Sequence, residues 1–211
     1  MANDLLTTIT DDGLGDVAIE ASQRVLRGTL IRFADWNWSR GKEAEPIEKG
    51  TQLIATGTAA AWVKWQGGKP VETRLRQPGA AMLEREELGN TDESLWEVGA
   101  DKRPKDPWAH TRFVYMLDPM TAEAYTFSTS SFGGREAVVN LGDAIARMRS
   151  AYPDAMPVVA LEAAPMMTRF GRKSKPTFKI VGWKAADGKV REVRQLPPQT
   201  AAQELNDELP W

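Results

Sequence analysis

Apolar and polar positions alternate along much of this chain, and at one place they recur at helical spacing. "GTLIRFADWNW", from Gly28 to Trp38, sets β-branched and aromatic residues in near alternation, the pattern of a half-buried strand. A polar "SRGKEAEP" follows. "TQLIATGTAAAWVKW" then predicts a second strand, with Gly57 as a bulge or sharp bend. "QGGKP" is a turn whose paired glycines accept positive φ, and "VETRLRQ" is the return strand of that hairpin. "TRFVYMLD" and "AEAYTFSTS", joined by "PMTA", predict a second hairpin. "MPVVALEAAPMMTRFG" and "KPTFKIVGWKA" predict a third, with a basic tip. Between the last two lies "GGREAVVNLGDAIARMRSAYP", which spaces Val138, Leu141, Ile145 and Met148 as one face of a helix, with Pro153 just beyond its end.

These elements divide the chain into a mobile N-terminal arm (1–24), a domain (25–186) and a linker ending in a peptide (187–211). The stretch 79–107 has no clear period and many turn formers, and reads as an acidic insertion on the domain's surface. Six or seven strands, one helix and connections too short for parallel crossovers predict a mainly β fold. A partly open antiparallel barrel with a helix between strand pairs fits best, an OB-like arrangement.

Composition narrows the chemistry. At 211 residues and 42% hydrophobic, the chain is able to build a real core. No apolar run approaches the ~20 residues of a membrane span, and the acidic start "MANDLLTTITDDGLGD" lacks the basic and apolar segments of a signal peptide. The expected compartment is the cytoplasm. Cysteine is absent and His110 is the only histidine, which argues against disulfides and structural zinc, so no metal and no cofactor are expected.

The net charge of −2 hides a segregated distribution. Seven acids lie between Glu84 and Asp101 against Arg85 alone, whereas nine Lys or Arg lie between Arg169 and Arg194 against Asp187 and Glu192. The last ten residues carry three acids and no base, which leaves the remainder at +1.

Signs of catalysis are weak. No nucleophile elbow, phosphate-binding loop or metalloprotease signature occurs. "SSFGGRE" offers glycines at a helix start, either an anion site or an ordinary glycine cap, and the cap is the simpler reading. "EREE" reads as a solvated acidic surface rather than a metal site, and His110 has no nameable orienting partner as a general base. No catalytic residue is assigned.

Interleaved aromatic and basic residues say more. "FADWNWSR" sets Trp36 and Trp38 two apart on one strand face, with Arg40 next in register. "WVKW" holds Lys64, "TRLR" puts Arg74 and Arg76 on one face of the return strand, and "PWAHTRFVY" adds Trp108 and Arg112. "TRFGRKSKPTF" crowds Arg169, Phe170, Arg172, Lys173 and Lys175 into a seven-residue hairpin tip. Unpaired bases stack on such rings while cations track the phosphates. The competing reading is a barrel core for the tryptophans, favoured for Trp62, Trp65 and Trp183, and simple solubility for the lysines.

The final "NDELPW" resembles the C-terminal tip of bacterial single-stranded DNA-binding proteins, whose chains end in acids, an aliphatic residue, proline and phenylalanine. By position Asp207 and Glu208 match the acids, Leu209 the aliphatic, Pro210 the proline and Trp211 the terminal aromatic, here Trp in place of Phe. The body does not resemble those proteins, and "PTFKIVGW" and "AEAYTFSTS" look similar to phage and prophage proteins. The resemblance implies a phage-type single-stranded DNA-binding protein, non-enzymatic and compatible with homo-oligomers. Its tip would recruit replication, recombination or repair enzymes, the ring filling a pocket and the carboxylates meeting its basic rim. The alternative is an adaptor that engages host replication machinery through the tip without binding DNA, with a metal-dependent nuclease a distant third.

Overall fold

Strand β4 (Gln52–Gln66) is the trunk on which the fold is built. Its first residues pair with β10 (Ala155–Thr168), its middle with β8 (Trp108–Leu117) and its end with β5 (Lys69–Leu75), all antiparallel. The computed structural model describes residues 25–77, 79–99, 102–169 and 171–185, and the backbone of 190–192. The arm 1–24, Phe170 and the C-terminal tip lie outside the described residues.

Strands β1 (Thr29–Ala34), β2 (Asn37–Arg40), β3 (Glu45–Ile47), β9 (Ala124–Thr129), β11 (Gly171–Ala185) and β12 (Val190–Glu192) complete a sheet that is ten-stranded among the described residues. Its order is β12-β11-β10-β4-β8-β9-β1-β2-β3, with β5 alongside β4. Helix α1 (Phe132–Met148) connects β9 to β10. Among the described residues the fold is mainly β with one α-helix, and the three predicted hairpins are present. The β4–β5 turn is the two residues Gly67 (φ 56) and Gly68 (φ 72), a left-handed pair that suits the twist of the strands.

The strand count exceeds the expected six or seven, because a two-residue turn at Asp35 and Trp36 splits the strand predicted over Gly28–Trp38 and several strands are only two or three residues long. The sheet is also not wholly antiparallel, since β1 runs parallel to β9. These two strands are far apart in sequence, so no short crossover joins them.

The sheet is strongly curled into a half-barrel, and its core shows by how much. Trp38 on β2 and Phe178 on β11 stand six places apart in strand order, about 29 Å on a flat sheet at 4.8 Å spacing. Their rings are 5.6 Å apart. Phe33 (5.0 Å) and Phe127 (5.3 Å) also flank Trp38, and Ala137, Val138 and Leu141 of α1 close the same cluster from the open side. A smaller cluster of Ala61, Val63, Phe113 and Tyr115 lies on the convex face, where Arg27 sits 4.3 Å over the Tyr115 ring.

A bulge at Thr56 sets which side chains share the concave face. Ala55 pairs with Met116 and Gly57 with Tyr115, leaving Thr56 as the extra residue. Beyond it the inward positions are even-numbered, so Ala60, Trp62 and Lys64 continue the face begun by Leu53 and Ala55.

The acidic insertion is folded. Arg85–Leu88 and Glu93–Leu95 form single helical turns, and β6 (Glu97–Val98) pairs with β7 (Pro104–Lys105). Arg85 fastens it, with Nε 2.7 Å from Asp106 Oδ2, Nη2 2.8 Å from Asp106 Oδ1 and Nη1 2.8 Å from the Gly89 carbonyl. No helix of the described residues is long and apolar enough to cross a membrane.

Helix α1 starts at the cap Ser131, whose Oγ accepts from the Gly134 amide at 3.2 Å. The two glycines lie inside the first turn rather than capping it. A Cβ on Gly134 would stand 2.1 Å from Thr129 Oγ1, so the helix docks on β9 only because that atom is absent. Gly134→Ala is expected to cost about 1–3 kcal/mol or more. Gly142→Ala on the same helix meets nothing within 4 Å and should gain about 0.5–1 kcal/mol. Thermal unfolding of the two variants should therefore move in opposite directions.

Candidate nucleic-acid interface

The concave face continues past the core into a basic strip. Across β5, β4 and β8, Arg74 is in register with Trp62 and His110, and Glu72 with Lys64 and Trp108. One row nearer the core, the Arg76 amide donates to the Ala60 carbonyl at 2.9 Å, and Ala60 pairs with Arg112. Arg135, in the first turn of α1, reaches over this row with Nη1 3.3 Å from His110 Nδ1. The expected residues Lys64, Arg74, Arg76 and Arg112 thus come together, joined by Arg135, His110 and Trp62, which were not assigned to the site.

Like charges crowd this strip. The Arg112 guanidinium is held below its ordinary pKa by burial and then by Arg76 and Arg135, with Asp143 acting the other way. His110 is pushed down by burial first and then by Arg112 and Arg135, which favours its neutral form. Ion pairs among the described residues join Arg40 to Glu45, Arg74 to Glu72, Arg85 to Asp106 and Lys175 to Glu136. None takes Arg76, Arg112 or Arg135.

Trp108 corrects one expectation. It is only 3% exposed, so its ring is not a stacking platform. It instead underlies the strip, with Arg74 Cζ 5.2 Å and Lys64 Nζ 5.8 Å from its centroid.

A second feature lies on the other side of the first turn of α1. An open cleft of about 440 Å³ is lined by Phe33, Trp36, Ser131, Phe132, Arg172 and Lys173, among others. The predicted strand "GTLIRFADWNW" breaks here into a hairpin, with Ala34 paired to Asn37 across Asp35 (φ 46) and Trp36 (φ 70). A tryptophan in the left-handed region is a backbone outlier, the kind of strain that clusters at functional sites. Its amide donates to Ser174 Oγ at 3.1 Å, and Lys49 Nζ and Arg172 Cζ stand 5.8 and 5.9 Å from its ring centroid. Phe132, 70% exposed, faces the same cleft.

Because the chain turns at Trp36, Trp38 does not share its surface. Trp38 is 1% exposed, and its Nε1 donates to the Glu162 carbonyl at 3.0 Å. The expected stacking role of Trp38 is therefore overturned by burial. Arg40 is engaged locally, with Nε 3.1 Å from Glu45 Oε2 and Nη1 3.0 Å from the Tyr125 hydroxyl.

The basic hairpin tip is tighter than expected. Thr168 pairs with Gly171, and Arg172, Lys173 and Lys175 belong to β11. Arg172 and Lys173 line the cleft. Lys175 is drawn aside, its Nζ 3.0 Å from Glu136 Oε2. Arg169 is exposed on the loop. The core reading of Trp183 holds at 0% exposure, Trp62 is half-buried, and Trp65 is 38% exposed beside the acidic insertion.

Phe132 was missed, and the one local signal for it in "SSFGGRE" is an aromatic beside two glycines at the helix start. Arg135 and His110 carry no comparable local signal. Among the described residues no cluster of three or more His, Asp or Glu is placed to hold a metal ion. No known protein family, curated protein or solved structure matches the chain.

Proposed function

We propose that this protein binds single-stranded DNA without chemical turnover, as an OB-like half-barrel of the phage type. The observation that carries this reading is the pairing of two features across the first turn of α1. On one side stand Arg76, Arg112 and Arg135, which no carboxylate neutralises within ion-pair distance. On the other stands a cleft holding a strained Trp36, an exposed Phe132 and the cations Arg172 and Lys173. A single strand needs both parts, since bases stack on rings and phosphates seek cations.

The tip "NDELPW" is the proposed contact with replication, recombination or repair proteins, with Trp211 entering a pocket of the partner and Asp207, Glu208 and the α-carboxylate meeting its basic rim. The adaptor alternative draws support from the folded acidic insertion, which presents Leu95 (81% exposed) and Val98 (69% exposed).

Titration with oligo-dT under Trp fluorescence separates the two. Strand binding should quench fluorescence, weaken steeply as salt rises and exceed binding to duplex of equal length. A chain lacking residues 204–211 should bind as well or slightly more tightly, having lost three acids. Equal affinity for duplex would sink the stacking argument, and absence of binding would favour the adaptor.

A further inference from the structure

We infer that Arg76, Arg112, Arg135 and His110 form a built site for one phosphate group, so that a bound strand would be gripped at a fixed point beside the cleft. The inference rests on the strand-binding reading for its biological ligand, though not for its chemistry.

The geometry begins with Ala60. Ala60 is buried and flanked in register by Arg76 and Arg112, so the two arginines leave the same face of the sheet on either side of a small residue. Arg135 comes in from α1, a separate element, so strand and helix deliver their cations to one place. Guanidinium groups gathered with no carboxylate within ion-pair distance repel one another, and an oxyanion relieves that repulsion while accepting their forked N–H donors.

His110 is the second observation. With Nδ1 3.3 Å from Arg135 Nη1, this nitrogen is the acceptor and Nε2 carries the proton, yet Nε2 is buried with no hydrogen-bond partner. The groups around the imidazole are Arg112 on its own strand, Trp62 and Arg74 in register across β4 and β5, and Arg135 on α1; Arg76 and Asp143 act through Arg112. The charged groups nearest the ring are cations, and with burial they disfavour its charged form while the site is empty. A phosphate would draw Arg135 toward itself and free Nδ1. That nitrogen would then take a proton from solvent, and the imidazolium would keep it while its Nδ1–H donates a hydrogen bond to a phosphate oxygen. Binding and proton uptake at His110 are thereby coupled, and His110 should titrate at higher pH in the bound form.

As the only histidine in the chain, His110 gives an unambiguous imidazole signal in NMR. The full chain is titrated with inorganic phosphate, with oligo-dT, and with chloride at matched ionic strength. Phosphate should shift the imidazole resonances saturably and move the His110 titration upward, and chloride should do neither. Arg112→Gln and, at an exposed position that spares the fold, Arg76→Gln should each weaken phosphate about tenfold, the scale of one charge-assisted hydrogen bond. Resonances that ignore phosphate, or respond equally to chloride, would overturn the site. Oligo-dT that quenches Trp fluorescence while leaving His110 unmoved would overturn it too, and leave strand binding intact. Phosphate that moves His110 in a chain that binds no oligonucleotide would support the site and overturn the strand-binding reading.

Discussion

Trp38→Ala should lose about 3–5 kcal/mol of stability, a large share of the roughly 5–15 kcal/mol that holds a domain together. The ring is 1% exposed and touches Phe33, Phe127 and Phe178, which come from three different strands of the curled sheet. Removing it leaves a cavity where the two ends of the half-barrel meet. It also orphans the Glu162 carbonyl that its Nε1 satisfies. Chemical denaturation should show the midpoint falling sharply. A loss below about 1 kcal/mol would mean that the half-barrel closes without this contact.

Trp36, two residues earlier, should behave in the opposite way. Trp36→Gly removes the ring and at the same time relieves the left-handed backbone, which glycine adopts without strain. Stability should stay within about 1 kcal/mol of the parent. Affinity for oligo-dT should fall by about 1–3 kcal/mol, or roughly 5- to 150-fold. Phe132→Ala on the opposite wall of the cleft should impose a loss of similar size, and neither change should alter the salt slope, since no phosphate contact is removed. Fluorescence anisotropy of a labelled oligonucleotide reads both. Unchanged affinity in both variants would remove the cleft from the strand path.

The contrast between these two tryptophans shows what the sequence carries. Alternation across "FADWNW" is read correctly as a strand at each end, but a two-residue turn with positive φ lies inside it. No glycine or asparagine marks that turn, because Asp35 and Trp36 hold it under strain. The β4–β5 hairpin, by contrast, was legible because Gly67 and Gly68 announce their backbone. The helix was legible through Val138 and Leu141, which the core buries.

The basic strip was half legible. Arg74 and Arg76 share a face by simple alternation, and so do His110 and Arg112. Joining those two pairs requires β4 to lie between them, and a bulge at Thr56 shifts its inward positions from odd to even. Period-two reading carried through that bulge puts Trp62 and Lys64 opposite Leu53, whereas they share its face. Arg135 joins them only through tertiary packing of α1, which no local pattern encodes.

The fastening of the acidic insertion by Arg85 bears on direction. Near Lys64 and Trp65 the basic strip meets a wall formed by Asp92, Trp96 and Glu97, and Glu97 Oε1 accepts from the Gly67 amide at 2.8 Å. Arg85 ties that wall to Asp106, just before β8, and to the Gly89 carbonyl. Its charge is stationary and of the same sign as a nucleic-acid backbone. On the strand-binding proposal, a polyanion lying on the strip would be turned back on the Lys64 side and continue toward the Trp36 cleft. On that proposal the track is closed at one end only, and a bound strand would stop at the insertion.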